Sequence, residues 1–285
     1  MALPLSLGGP QQQAPSTAKR SRLLMSALAG VALVVLLFAS RGGGTTGAAT
    51  ADKSVVVAAA ADGAAKPPRV PVTLFVMILC PDAQFCETFL EPVLTPLKSV
   101  ISVRTEYIMR EEEEEEQQAG GGGSKNKKLV CMHGERECVG NKQQLCLQKR
   151  LDQRIGAGKL SADATVDVLL KFLTCGWRSP ADIGTDKGAR QCLAAIGWAA
   201  AADADDVLAC ASGAEGDALL AASHAATTAA GAKNSCTVFV DGRRRCVRDG
   251  GAFRDCEPGR TPADFKKSIC AALPKGAAGA AAVCG

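Results

Sequence analysis

The chain has 285 residues, 47% of them hydrophobic and 22% charged, with a formal net charge of +4. That length holds one well-buried domain with appendages or two small domains, and one is expected. The mild charge and the 4% aromatic content exclude the basic stripe and the stacking platforms that hold nucleic acids, so no nucleic-acid partner is expected.

Thirteen cysteines, none of them before Cys80, suit an oxidising compartment and would be a liability in a reducing cytosol. An export signal should therefore stand near the N-terminus. Leu23 to Ser40, "LLMSALAGVALVVLLFAS", is uncharged over eighteen residues and follows Lys19, Arg20 and Arg22. It is just long enough to span a bilayer. The long n-region, the long apolar core and the lack of a small-x-small site after it favour an uncleaved signal-anchor over a cleaved signal peptide. The basic flank then leaves residues 1–22 as a disordered cytosolic tail. Everything after Arg41 lies in the lumen or outside, in a single-pass type II arrangement. Residues 41–69, rich in Gly, Ala and Thr, read as a flexible linker, and the folded domain as 70–285.

"VTLFVMIL" (Val72 to Leu79) is a continuous apolar run that suits a strand buried on both faces. Phe89, Leu90, Val93, Leu94, Leu97 and Ile101 then recur at helical spacing, with Pro92 and Pro96 predicting a kink or early fraying. "VRTEYIM" (Val103 to Met109) is a second strand, so residues 72–109 make one βαβ unit. Glu111 to Glu116, Gln117, Gln118 and the glycines at 120–123 belong to a low-complexity insert, 111–128. Six consecutive like charges are expected to stay solvated and disordered rather than to bind calcium or a partner.

Val166, Leu169, Leu170 and Leu173 mark a helix that Ser161 could cap. Residues 189–231 read as Ala-rich helices broken at Gly197, Gly213 and Gly216. "CTVFVDGRRRCV" (Cys236 to Val247) is two strands joined by Asp241-Gly242, a type I′ hairpin signal. Thr261, Pro262 and Asp264 open a last helix with Phe265, Ile269 and Leu273 on its buried face. The order βαβ, helices, ββα describes an α/β, thioredoxin-like fold with a helical, disulfide-rich insertion.

The most specific stretch is "CMHGERECVGNKQQLC", Cys131 to Cys146. Its layout, C-x-H-G-x2-E-C-x2-N-x4-C, resembles the signature of the gamma-interferon-inducible lysosomal thiol reductase family, usually written C-Q-H-G-x2-E-C-x2-N-x4-C. Cys131, His133, Gly134, Glu137, Cys138, Asn141 and Cys146 all fall in place, and Met132 replaces the glutamine. The resemblance covers roughly Val70 to Leu273. It implies a thioredoxin-fold enzyme that reduces disulfide-containing protein substrates and draws on a small-molecule or protein thiol as reductant, with the acid endolysosomal or vacuolar lumen as its typical place. No cofactor is implied.

Without the family, His133 between Cys131 and Cys138 could suggest zinc. Against that, the chain has no CxxC knuckle, its only other histidine is His224, and exported cysteines more often pair with each other. No metal site is expected. Disulfides pinning the loop, with Glu137 and Asn141 supplying internal hydrogen bonds, is the structural alternative for the same residues. His224 reads as a helix-surface residue, and Trp177 and Trp198 as packing anchors. Phosphate-loop and dinucleotide fingerprints are absent.

"ILCPDAQFCE" (Ile78 to Glu87) places Cys80 and Cys86 where the first strand gives way to the first helix. In a thioredoxin-like site the first cysteine sits at the helix N-terminus, where the helix dipole and free N–H groups favour a thiolate, and the second resolves the mixed disulfide. Cys80 fits the nucleophile and Cys86 is the candidate resolver. With the helix starting at Cys80, the six-residue offset sets the two Cα atoms roughly 9 Å apart along the axis, beyond the ~7 Å reach of a disulfide. With Asp82 as N-cap, the preceding chain folds back and the bond is feasible.

The resemblance also brings two departures. Family members with CxxC would carry the resolving cysteine at Ala83, and the stretch Asn234, Ser235, Cys236 and Thr237 lacks the cis-proline of thioredoxin-like enzymes. Three readings thus stand: an atypical dithiol site, a structural disulfide in a non-catalytic, stapled binding module, and a one-cysteine site using Cys80 alone. The odd cysteine total leaves at least one thiol unpaired within the chain.

Overall fold

A computed structural model describes residues 68–115, 125–198 and 201–285. The expected tail at 1–22, the apolar segment at 23–40, the linker up to residue 67 and the middle of the acidic insert lie outside the described residues. Among the described residues no helix is long and apolar enough to cross a membrane.

The first apolar run forms β1 (Val70–Val76), three residues shorter at its end than the pattern suggested, because the chain turns over Met77 to Leu79 and Cys80 N–H donates to Met77 O at 2.9 Å. Val70, Val72, Leu74, Phe75 and Val76 are all buried, as an inner strand covered on both faces requires. Helix α1 (Pro81–Leu94) follows and buries Ala83, Cys86, Leu90, Val93 and Leu94. Burial of an aliphatic side chain of this size stabilises by about 1.5–3 kcal/mol. Pro92 lies inside α1, which gives way after Leu94 to a 3-10 turn at Thr95–Leu97.

Strand β2 (Ile101–Tyr107) runs parallel to β1, with Val70 opposite Ile101 and Val76 opposite Tyr107. Near the other end of the chain come β5 (Thr237–Val240), β6 (Arg243–Asp249) and β7 (Ala252–Arg254). The sheet order is β2-β1-β5-β6-β7, with β5 antiparallel to β1. A βαβ unit joined to an antiparallel ββα unit through its first strand is the thioredoxin-like arrangement. Asp241 and Gly242 turn between β5 and β6 with φ of 52° and 71°, as the two-residue I′ signal demands.

Helix α7 (Pro262–Ala272) begins with a capping box between Thr261 and Asp264 and buries Phe265 and Ile269. It packs on α1. The short helix α8 (Ala280–Cys284) is tied to α7 by Cys270–Cys284.

Between the two halves stand α2 (Glu135–Gly156), α3 (Ala162–Gly176), α4 (Asp186–Ala195), α5 (Ala201–Ser212) and α6 (Ala214–Ala230). Ser161 caps α3 by accepting from Ala164 N–H. Cys146–Cys210 joins α2 to α5, and Cys175–Cys192 joins α3 to α4. The insertion also solves the edge problem of β2. Thr105 N–H donates to Gln148 Oε1 at 2.9 Å and Tyr107 N–H to Ser223 Oγ at 2.8 Å, while Thr227 Oγ1 donates to Tyr107 O at 3.0 Å. Buried polar residues of α2 and α6 thus satisfy backbone groups that an open edge would leave to water.

Three expectations need correction here. Gly216 does not break a helix but lies inside α6, where a Cβ would stand 2.6 Å from Cys210 O. The missing side chain lets α6 close on α5. The acidic insert is not wholly without structure, since β3 (Arg110–Glu115) pairs antiparallel with β4 (Lys125–Val130). The reason is cross-strand charge: Glu112 faces Lys128, Glu113 faces Lys127, and Lys127 Nζ sits 2.6 Å from Glu111 Oε2, so the acidic run is neutralised by a basic one. His224 is likewise not on an open helix surface. Its side chain is 16% exposed, with Nε2 3.7 Å from Glu111 Oε1.

Candidate active site

Every cysteine but one is in a disulfide. Cys86–Cys236, Cys131–Cys138, Cys146–Cys210, Cys175–Cys192, Cys246–Cys256 and Cys270–Cys284 are bonded, and Cys80 is free and half-buried. The cysteines that flank His133 hold each other, as a loop staple rather than a ligand pair.

The expected Cys80–Cys86 pair is therefore not formed. Cys80 is itself the N-cap of α1, with extended backbone (φ −76°, ψ 131°) and Pro81 at the first helical position. Proline there fixes the helix start, since its ring sets φ and its missing N–H is not needed. The late start at Asp82, which would have allowed the pair, does not occur. Cys86 falls on the second turn of α1, on the buried face, 1% exposed, and bonds across to Cys236 with a Cα separation of 6.3 Å.

Cys236 belongs to the segment that enters β5, which lies directly beside the Cys80 turn. Met77 N–H donates to Ser235 Oγ at 2.9 Å, and Cys80 Sγ lies 3.9 Å from Ser235 O. The peptide joining Ser235 to Cys236 is cis, at the stretch where the thioredoxin-like pattern would carry a cis-proline. Sequence reasoning assigned no role to Cys236. Its signal was a cysteine at the mouth of a fully apolar strand, "CTVFV", which has no business in a solvent-facing loop.

The signature supports this turn from below. Glu137, fully buried, accepts from Leu79 N–H at 3.2 Å and from His133 Nδ1 at 2.6 Å on Oε2, and from His133 N–H at 3.2 Å on Oε1. Leu79 immediately precedes Cys80. Asn141 Nδ2 lies 3.6 Å from Cys131 Sγ, and Gly134, at φ +87°, caps α2. Gly140 lets α2 approach closely: a Cβ there would stand 3.2 Å from Ile78 Cδ1 and 3.3 Å from Gly184 Cα. Of the matched residues, Glu137 thus holds the backbone next to Cys80 directly, through Leu79 N–H.

Glu137→Ala should cost on the order of 3 kcal/mol in chemical denaturation, because it orphans Leu79 N–H and His133 N–H. Glu137→Gln keeps an acceptor and should cost less. Equal stability of Glu137→Ala and wild type would remove Glu137 from this role.

On the other side of α1, Asp82 accepts from Gly251 N–H at 3.1 Å and pairs with Arg248 Nε at 3.0 Å. The Arg248 guanidinium lies 3.5 Å over the Phe85 ring. Among the described residues, Phe85 and Met132 are the two large apolar side chains that stay exposed, 39% and 47%. Phe85 is on the second turn of α1, and Met132 shares a shallow surface groove with Met77, so both border the Cys80 turn.

Next to Cys86, Glu87 points into the core. Trp177 Nε1 donates to its Oε2 at 2.6 Å, and its Oε1 has no hydrogen-bond partner. Burial raises its pKa from 4.5 to about 7, against a smaller lowering by the Trp177 bond. Trp177 is thus more than a packing anchor. Trp198 is buried, with Arg154 stacked 3.9 Å from its ring centroid.

The family model described as gamma interferon inducible lysosomal thiol reductase (GILT) matches residues 71–196, the span holding β1, the Cys80 turn and the signature. No curated protein sequence matches the chain. Among solved structures, oxidised DsbA of Mycobacterium tuberculosis is similar at 13% identity over 76% of this chain and 89% of that one, with a TM-score of 0.43. Reduced DsbG of the same organism follows at 14% identity, 76% and 84% coverage and a TM-score of 0.43. Reduced DsbA1 of Neisseria meningitidis is similar at 15% identity, 64% and 76% coverage and a TM-score of 0.36. Residues 71–196 are thus similar to the gamma interferon inducible lysosomal thiol reductase family, a likeness that supports thiol–disulfide oxidoreduction as the chemistry of this span.

Proposed function

We propose that this protein reduces disulfides of protein substrates in an oxidising, lumenal or extracellular compartment, with Cys80 as the attacking thiolate. One observation carries the reading: the single free cysteine of a disulfide-filled domain is the N-cap of the first helix of a thioredoxin-like sheet. That is the place from which the attacking cysteine of a thioredoxin-like site meets a substrate disulfide.

In the reaction, the Cys80 thiolate attacks one sulfur of the substrate disulfide, the Cys80–substrate bond forms, and the other substrate sulfur leaves as a thiolate. A second thiol then attacks Cys80 Sγ and frees the remaining substrate thiol. Phe85 and Met132 offer the apolar rim against which a substrate chain rests. A small-molecule or protein thiol is the reductant. The six disulfides and the family support the compartment, and the apolar run at 23–40 supports a single-pass anchor.

Exposing the purified protein to a chromogenic aromatic disulfide and mapping the product by peptide mass spectrometry tests the reading. One adduct, on Cys80, is expected. The rival reading, a disulfide-stapled binding module, is favoured by the closed Cys86–Cys236 bond and predicts no adduct. An unmodified Cys80, or an adduct elsewhere, would overturn the proposal.

A further inference from the structure

We infer that the buried Cys86/Cys236 pair is the protein's own electron store, charged as the dithiol and discharged as the disulfide of this structure, and that Cys236, passing through a Cys80–Cys236 bond, is the resolving cysteine. This rests on the reading of Cys80 as the attacking thiol.

Two facts constrain how a mixed disulfide on Cys80 is released. Cys86, six residues along the same helix, stands roughly 9 Å down the axis from an N-cap cysteine, outside the ~7 Å Cα limit for a bond. Cys236 is on another segment, and that segment is held against the Cys80 turn by Ser235, whose hydroxyl takes Met77 N–H at 2.9 Å and whose carbonyl oxygen lies 3.9 Å from Cys80 Sγ. Cys236 is also the partner of Cys86. Cys236 is thus bonded to Cys86 and directly follows the residue whose carbonyl oxygen lies beside Cys80 Sγ.

Burial gives the arrangement its direction. Cys86 and Cys236 are 1% and 0% exposed, so neither a protein substrate nor a bulky reductant reaches them, whereas Cys80 is half-buried and opens to solvent. Cys80 is the port through which electrons leave and return.

The steps balance. In the reduced protein the Cys80 thiolate attacks the substrate disulfide, forms the mixed disulfide and releases the first substrate thiolate. The Cys236 thiolate attacks Cys80 Sγ, the Cys80–Cys236 bond forms, and the second substrate thiolate leaves. The Cys86 thiolate attacks Cys236 Sγ, the Cys86–Cys236 bond of this structure forms, and Cys80 is regenerated. The substrate gains two electrons and two protons, which the Cys86/Cys236 dithiol loses. Recharging reverses the last step: Cys80 attacks Cys236 and frees Cys86. Two equivalents of a small-molecule thiol then act in turn at Cys80 and depart as their own disulfide, leaving Cys80 and Cys236 as thiols.

The test follows bond opening in the full chain. Wild type and Cys80→Ser are exposed to a low concentration of a small thiol, quenched with acid, alkylated and mapped. In wild type Cys86 and Cys236 should become labelled ahead of the other bridged cysteines, and in Cys80→Ser their labelling should slow by about tenfold or more, since the internal attacking thiol is gone. Labelling of the pair at the same rate in both proteins, or none in wild type, overturns the relay. A second variant, Cys86→Ala, should accumulate a Cys80–Cys236 bond after one equivalent of substrate disulfide, and an alkylatable Cys236 beside a persistent Cys80 adduct overturns it too. If instead no substrate disulfide ever adds to Cys80 in wild type, the reading of Cys80 is what fails.

Discussion

Replacing Cys80 by serine should lower reduction of a protein disulfide by roughly 1,000-fold or more, the scale on which loss of a covalent nucleophile acts. A hydroxyl at this position is not ionised near neutral pH and does not attack sulfur. Ten of the other cysteines are held in bridges outside the relay, and Cys86 and Cys236 are buried, so no other thiol reaches a protein substrate to take over.

The same substitution should leave the fold intact. Cys80 makes no side-chain cap bond in α1, and serine is among the best N-cap residues, so Cys80→Ser should unfold at the same denaturant concentration as wild type or slightly higher. Loss of turnover with undiminished stability identifies a chemical role. Wild-type turnover by Cys80→Ser would remove the nucleophile from the mechanism.

The second large effect concerns Glu87. Its carboxyl is buried without a charge partner, and desolvation raises its pKa from 4.5 to about 7. Below pH 4.5 both the folded and unfolded forms carry the proton. Between pH 4.5 and 7 the unfolded chain releases it while the folded protein keeps it, so this group's contribution to stability falls as pH rises, and above 7 the loss is complete. A shift of this size corresponds to about 3 kcal/mol.

Glu87→Gln keeps an oxygen to accept from Trp177 Nε1 and carries no ionisable proton. Denaturation at pH 4.5 and 7.5 should therefore show the variant gaining about 3 kcal/mol on wild type at the higher pH and little at the lower one. The same difference at both values would show that Glu87 does not titrate in this range.

Local signals survived folding well. Ser161 caps its helix, Thr261 and Asp264 form their box, and Asp241-Gly242 makes its turn, because each depends on residues within a few positions of one another. The thioredoxin-like order was legible for a related reason: an apolar run, a helical stripe, a second run and a late hairpin admit few sheet topologies. The misreadings share a cause. The acidic run gained a strand because a basic run lies opposite, and Gly216 stayed helical because a neighbouring helix needed its bare Cα.

The active site divides along the same line. An odd number of cysteines and the spacing of Cys131 to Cys146 are properties of the chain, and they specify at least one unpaired thiol and the family resemblance, whereas the start of the first helix at Cys80-Pro81 was settled only by the fold. Which sulfur Cys86 would take was beyond any local rule. Its partner is 150 residues away, and only the pairing of β1 with β5 brings the two within bonding distance. The fold likewise decided that Glu87 would lie in a site that strips its carboxylate of water, since burial is a property of the packed whole and not of the residue.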